Sequence, residues 1–135
     1  WQAYLSVDPE VGIRKKLTKG SEEATYKLCI KSKGTLERIE VEKDLSEEEF
    51  SQLMKVGNLS LQDFISKKLI VCIVSGYELA FGIVDEDKST SFCYGEIEFL
   101  SAEEAKGFVT PSWFGKEVTN DNYYKMANYW KKTHD

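Results

Sequence analysis

The chain has 135 residues, with 18 Lys and Arg against 23 Asp and Glu, and its formal net charge is −5 at pH 7. This length fits one domain that buries a core without disulfides or metals, and the negative charge argues against nucleic acid or an anionic membrane as a partner. Three cysteines without CxxC spacing indicate neither a disulfide framework nor a zinc site, which favours a reducing, cytoplasmic location. No apolar run is long enough to span a bilayer.

Apolar and charged residues alternate with period two along much of the chain, which predicts strands with one apolar and one charged face. After an N-terminal segment that ends in a Ser-Val-Asp-Pro turn, the pattern predicts six strands, at 12–18, 25–31, 36–43, 68–74, 77–84 and 91–100. Short turns rich in Gly and Ser separate neighbouring strands, as Ser75 and Gly76 do between two of them. The sequence therefore predicts an antiparallel sheet.

The segments outside these strands are typical of helices. A Ser-x-x-Glu pattern, in which the serine caps the first turn, predicts helix starts at Ser46 and Ser101. The first helix should end at Gly57. A terminal helix is expected at 121–132, and a short helical piece at 61–66. Strands and helices together predict an α+β protein.

Four of the predicted strands pair an apolar face with a densely charged one. The charged residues on them are Arg14, Lys16, Lys27, Lys31, Arg38, Glu40, Glu42, Glu96 and Glu98. An open sheet with one solvated face gives this pattern, and so does a closed barrel with a polar, ligand-filled lumen. The mixture of signs favours the barrel, because a polyanion bound together with a bridging cation needs both bases and carboxylates. We therefore predict a closed or nearly closed β-barrel, or tunnel, with a polar lumen and three peripheral helices.

Glu96 and Glu98 lie two residues apart in the last predicted strand. The rise of a strand separates two such side chains by about 7 Å and places them on one face. Two carboxylates in this arrangement suit a hard divalent cation. A surface strand with solvated acids would have the same pattern, so both interpretations stand at this point.

Several segments, in this order and at this spacing, resemble the CYTH domains, also called triphosphate tunnel metalloenzymes. QAYLS followed by DPE is similar to the beginning of these domains, IRKKL to their V-R-V-R-like strand, and IKSKG to their I-K-G segment. RIEVE is similar to their R-x-E-x-E strand, GEIEF to their late E-x-E strand, and FVTPSWFGKEVT to the tail that follows it. The segments lie at 2–10, 13–17, 30–34, 38–42, 95–99 and 108–119.

The resemblance implies a fold, a ligand and a set of site residues. The family includes inorganic triphosphatases, thiamine triphosphatases and class IV adenylate cyclases, and its fold is an eight-stranded antiparallel tunnel. Its bases bind a triphosphate, and its carboxylates hold Mg²⁺ or Mn²⁺. By this resemblance the phosphate ligands would be Arg14, Lys16, Lys31 and Arg38. The metal ligands would be Glu96 and Glu98, while Glu40 and Glu42 would be catalytic residues that join the metal site or orient the bases. The expected partner is a triphosphate, a polyphosphate or a nucleotide, and the expected reaction is slow hydrolysis of inorganic triphosphate.

The chain departs from the family pattern on one predicted wall. The chain starts after the position of the E-x-E-x-K strand with which members begin, so we expect a single CYTH-like domain, 1–135, without its first strand. Leu69 stands where members carry an Arg, and Ala80 and Gly82 stand where they carry an E-x-D pair. These changes favour an alternative, a catalytically degenerate domain that acts as a phosphate-binding or structural and interaction module. In that case Arg38, Glu40 and Glu42 would form a cross-strand ladder of ion pairs.

Overall fold

The computed structural model describes residues 1–34 and 37–134, which form seven strands, three α-helices and two 3₁₀ turns. In chain order the elements are β1 (Gln2–Val7), β2 (Glu10–Lys16), β3 (Thr25–Lys31), β4 (Glu40–Leu45), α1 (Glu47–Val56), a 3₁₀ turn (Leu61–Asp63), β5 (Lys67–Val74), β6 (Tyr77–Val84), β7 (Phe92–Ile97), α2 (Ala102–Gly107), a second 3₁₀ turn (Asn122–Tyr124) and α3 (Met126–Thr133). The predicted α+β class is confirmed. The chain divides into two compact units, the first formed by Trp1–Ile65 with the C-terminal stretch from Thr119, and the second by Ser66–Val118.

The first unit contains a four-stranded antiparallel sheet in the order β1-β2-β3-β4. Ile13 on β2 lies opposite Ala3 on β1 and Leu28 on β3, so the apolar residues of the three strands share one face. Ala3 and Ile13 are buried with Phe50 of α1 and with Phe64, and these four residues form the core of the unit. The opposite face of the sheet carries the charged residues.

The second unit contains a three-stranded antiparallel sheet in the order β5-β6-β7. Leu79 and Val84 on β6 are fully buried. The ring of Tyr77 packs against Phe99 and Phe108, with centroids 5.0 and 5.4 Å away. This aromatic group holds α2 beside the sheet, and the Tyr77 hydroxyl donates a hydrogen bond of 2.7 Å to Glu104 at the start of that helix.

The predicted closed barrel, with its polar lumen, is wrong. The described strands form two antiparallel sheets of four and three strands, and neither sheet closes on itself. Period-two alternation requires only that one face of each strand is buried, and an open sheet satisfies that requirement. The mixture of charges had favoured a lumen, but the acids and bases of the first sheet pair with each other across neighbouring strands.

Several element boundaries differ from the predictions. The segment at 2–7, described from the sequence only as an N-terminal segment before a turn, is the edge strand β1, which is also bridged to Ile65 by two backbone hydrogen bonds of Gln2. The third predicted strand begins only at Glu40, and Leu36 lies outside the described residues. The strand at 25–31, the Ser75–Gly76 hairpin and the first helix are confirmed.

Within the described residues, no helix combines the length and the apolar character needed to cross a membrane.

Candidate functional site

The face of the first sheet opposite the core, here called the charged face, brings together acids and bases from β2, β3 and β4. Arg14, Lys27 and Asp44 form one row of directly opposed residues across the three strands. Glu10, Lys31 and Glu40 form a second row, four residues away along each strand. Side chains in opposed and diagonal positions of a sheet are close enough to interact, so the charges of the two rows share one surface.

Glu42 lies between the rows and connects two bases. Its carboxylate is 3.6 Å from the guanidinium of Arg14 and 3.3 Å from Nζ of Lys27. The hydrogen bond from Lys27 is the main reason that the pKa of Glu42 lies below its usual value, and the positive charge of Arg14 acts in the same direction. Glu42 is therefore an ionised partner of both bases at neutral pH.

A second set of ion pairs centres on Arg38, just before β4. Its guanidinium is 3.5 Å from the carboxylate of Glu40 and 3.7 Å from that of Glu10, and Lys31 is 3.8 Å from Glu40. Arg38 is held in place because the neighbouring Ile39 accepts a backbone hydrogen bond from Ser32 and donates one to its hydroxyl. The side chains of Lys31 and Arg38 are each 26% exposed, so both stay accessible to a ligand.

The remaining predicted site residues are not members of these ion pairs. Lys16 is the last residue of β2, where it is exposed and makes no ion pair within the described residues. Glu96 and Glu98 belong to the second unit. Glu96 lies on β7 opposite Ala80, whereas Glu98 follows the end of that strand at Ile97, so strand alternation does not govern its direction.

The described residues do not form a metal site from protein ligands alone. Among 1–34 and 37–134, no group of three or more His, Cys, Asp and Glu side chains is arranged to hold a metal ion. Glu96 and Glu98 can supply two carboxylates. Such a pair can hold Mg²⁺ only when water or phosphate oxygens complete its octahedral shell.

The charged face includes residues that the sequence reasoning missed. Tyr4 lies opposite Gly12, and its ring is so close that a Cβ at position 12 would be 3.4 Å from it. A glycine inside an alternating strand is a known sign of such a close approach and was available in the sequence. Tyr4, Gly12 and Cys29 line a recess of about 40 Å³ together with Glu10 and other residues of the face.

Burial changes the protonation behaviour of two groups in this recess. It raises the pKa of the Tyr4 hydroxyl above its usual value, an effect to which the charge of Glu10 adds. Burial also raises the pKa of the Cys29 thiol, although Arg14 acts in the opposite direction. Both groups are therefore uncharged at neutral pH, and they add hydrogen-bonding capacity to the face without adding charge.

Comparisons with known proteins give one partial similarity. A stretch of 30 residues is 57% identical to an inorganic triphosphatase of Nitrosomonas europaea, and it covers 22% of this chain and 20% of that protein. No protein-family model matches the chain, and no solved structure matches it. The chain is thus similar over a fifth of its length to an enzyme named for triphosphate hydrolysis.

Proposed function

We propose that the charged face binds inorganic triphosphate or a related polyphosphate, as a domain of the CYTH type would. Arg14, Lys31 and Arg38 are the phosphate ligands, and Lys16 contributes from the end of β2. The observation that carries this proposal is the position of Arg14 on β2, Lys31 on β3 and Arg38 just before β4, with an acid beside each of the three bases. The similarity to an inorganic triphosphatase supports the choice of ligand.

The existing ion pairs do not prevent phosphate binding. Their N···O distances on this face are 3.3 to 3.9 Å, and most of their side chains are more than a quarter exposed. Exposed pairs of this kind contribute about 0.2–1 kcal/mol each, whereas hydrogen bonds to charged groups contribute about 1.5–3 kcal/mol. A phosphate can therefore recruit the bases, while Glu40 and Glu42 orient them.

The proposal includes a metal ion. Glu96 and Glu98 would hold Mg²⁺ or Mn²⁺, with water molecules as the remaining ligands. When bound, such an ion supplies positive charge that neutralises phosphate oxygens. Mn²⁺ binding in the absence of phosphate, followed by electron paramagnetic resonance, should be weakened at least tenfold by Glu96→Gln and unchanged by Glu103→Gln. Equal binding by both variants would remove the metal assignment.

Calorimetric titration with tripolyphosphate tests the proposed binding. Arg14→Gln and Lys31→Gln should each weaken binding about tenfold, because each removes one charge-assisted contact. Lys43→Gln is the matched control, since Lys43 is an exposed residue of β4 on the opposite face of the same sheet. An equal loss of affinity in all three variants would indicate binding by net charge and would contradict the proposal.

One observation favours a second candidate, a structural or interaction module without a phosphate ligand. Glu42 and each acid of the two rows already have a base within 4 Å, so the charges of the face compensate each other. If this is its whole role, saturating tripolyphosphate will leave the melting temperature unchanged. Release of phosphate from tripolyphosphate, measured in the same samples, separates a hydrolase from a domain that only binds.

A further inference from the structure

A cavity of about 440 Å³ lies in the first unit beside α3, at the end of the sheet where β1 turns into β2. It is lined by the turn residue Asp8, by the segment that follows β3, and by α3 with the residues preceding it. Its basic lining residues are Lys33, Arg38, Lys125 and Lys131, and its acidic ones are Asp8 and Glu10. The lining is therefore positive, within a chain whose net charge is −5.

Hydrogen bonds fix part of this lining. Lys125 donates from Nζ to the backbone carbonyl of Gly34 at 2.8 Å, which ties the residue before α3 to the segment after β3. Asn128 donates its side-chain amide to the carbonyl of Asn122 at 2.9 Å. These bonds use one donor of Lys125 and one of Asn128, so further N–H groups of both residues stay available to a ligand.

Two of the lysines are weakly held or unpaired. Lys33 is 3.1 Å from Asp8, but their side chains are 86% and 66% exposed, so this pair is easily replaced by a stronger anion. Lys131 makes no ion pair or side-chain hydrogen bond among the described residues. A dianionic or trianionic group entering the cavity would thus meet several cations that it can recruit.

The cavity is continuous with the charged face through Arg38 and Glu10. Both residues line the cavity, and the Arg38 guanidinium also pairs with Glu40, which lies directly opposite Lys31 on the charged face. A chain of phosphates that contacts Lys31 therefore reaches the cavity by passing Arg38. No described lining residue is aromatic, and a nucleobase would lack a stacking partner there.

We infer that this cavity is a second anion site, which binds the phosphoryl groups of a linear polyphosphate beyond the three held on the charged face. The inference rests on the proposed function and extends it, because it predicts a preference for chains longer than triphosphate. Lys125 and Lys131 are the residues that set this preference, and Arg38 is shared between the two sites.

Titration with linear polyphosphates of three, six and about fifteen phosphates tests the inference. For the unaltered chain, the dissociation constant per molecule should fall about tenfold or more from three to six phosphates, as one to two new charge-assisted contacts form. Lys131→Gln and Lys125→Gln should each remove most of that gain. Lys55→Gln, which changes the same charge on α1, should keep it. Lys131→Gln guards against misfolding, because among the described residues this side chain makes no ion pair or side-chain hydrogen bond that the substitution would break.

The outcomes separate the inference from the proposed function. Binding of tripolyphosphate without any gain in affinity for longer chains, or a gain that survives both Lys125→Gln and Lys131→Gln, would overturn the second site and leave the charged face intact. Failure of every chain length to bind would reject the proposed function itself. If Lys125→Gln, Lys131→Gln and Lys55→Gln all reduce the gain in affinity equally, longer chains are attracted by overall charge. This result would also overturn the second site.

Discussion

At the scale of single residues, the charged face depends on shared carboxylates. Glu42 forms ion pairs with Arg14 and Lys27, and Glu40 forms ion pairs with Lys31 and Arg38. A carboxylate with two basic partners keeps both bases in place, and it also competes with any incoming anion. Removing one such acid should therefore change binding and stability in opposite directions.

Glu42→Gln tests this competition. The variant should bind tripolyphosphate more tightly, by up to about fivefold, because Arg14 and Lys27 lose a competitor worth about 0.2–1 kcal/mol. Asp44→Asn is the control, since its pair with Lys27 is 3.9 Å long and its side chain is 90% exposed. Tighter binding by the control alone would contradict the role given to Glu42.

The same residue gives a prediction for pH. Because the folded-state pKa of Glu42 is lowered, the stability that it contributes is present above its usual pKa and is lost as pH falls through the folded value. The difference in melting temperature between the unaltered chain and Glu42→Gln should thus be largest near pH 7 and shrink towards about pH 3. A difference that grows on acidification would be inconsistent with this carboxylate being paired.

The sequence was sufficient to place side chains on the correct face where strands are long and regular. Alternation put Arg14, Lys31 and Glu42 together on one surface, and the register confirms this, while their roles stay predictions. For Glu98 the predicted strand extends too far, because β7 ends at Ile97 and nothing local in the sequence marks that end. The recess at Tyr4 was also missed, since it depends on the pairing of β1, whose residues are not strongly alternating.

At the scale of elements, capping decides where helices begin. Ser46 accepts a hydrogen bond of 3.1 Å from the backbone of Glu49, and its own N–H donates to the Glu49 carboxylate at 2.9 Å, so both halves of the capping box are present. The box at Ser101 is incomplete. Glu104 there accepts from the N–H of Leu100 and from the Tyr77 hydroxyl instead. Tertiary contacts have thus redirected a side chain that local sequence assigned to the cap.

Ser46→Ala should lower the free energy of unfolding by about 1 kcal/mol, because it leaves an N–H of the first turn of α1 without its side-chain acceptor. Ser51→Ala on the exposed side of the same helix is the control, and it should be neutral or slightly stabilising, since alanine has the higher helix propensity. Urea unfolding monitored by circular dichroism measures both. Equal losses in the two variants would mean that the cap contributes nothing specific.

At the scale of the whole molecule, the period-two alternation and the composition were sufficient to predict the α+β class. They were not sufficient to predict how the strands are arranged. Whether a sheet stays open depends on which strands pair at its edges, and alternation is the same in open and closed sheets. The order β1-β2-β3-β4 is the order of the strands along the chain, as is usual for neighbouring strands of a sheet. The mixed charges pair with each other within one open sheet. Their alternation along the sequence is the same for this arrangement and for a closed barrel, so it could not distinguish the two.

The charge distribution of the whole chain predicts selectivity among anions. Acidic residues outnumber basic ones, so a long duplex would meet repulsion over most of the surface, whereas a small anion meets only a local group of bases. Fluorescence anisotropy at low ionic strength should therefore detect no binding of a labelled 20-base-pair DNA. The protein concentrations used should be sufficient for complete binding of tripolyphosphate. Tight DNA binding would show that positive charge is far less localised than the ion pairs indicate.

The register across β2, β3 and β4 also limits how this sequence can change over evolutionary time. Inserting or deleting one residue within any of these strands would exchange its charged side chains for apolar ones beyond that point. A point substitution, in contrast, alters a single ion pair. Lineages that descend from this sequence should therefore differ in length at the turn around Gly20, where the chain is exposed, while the paired strands diverge by substitution alone.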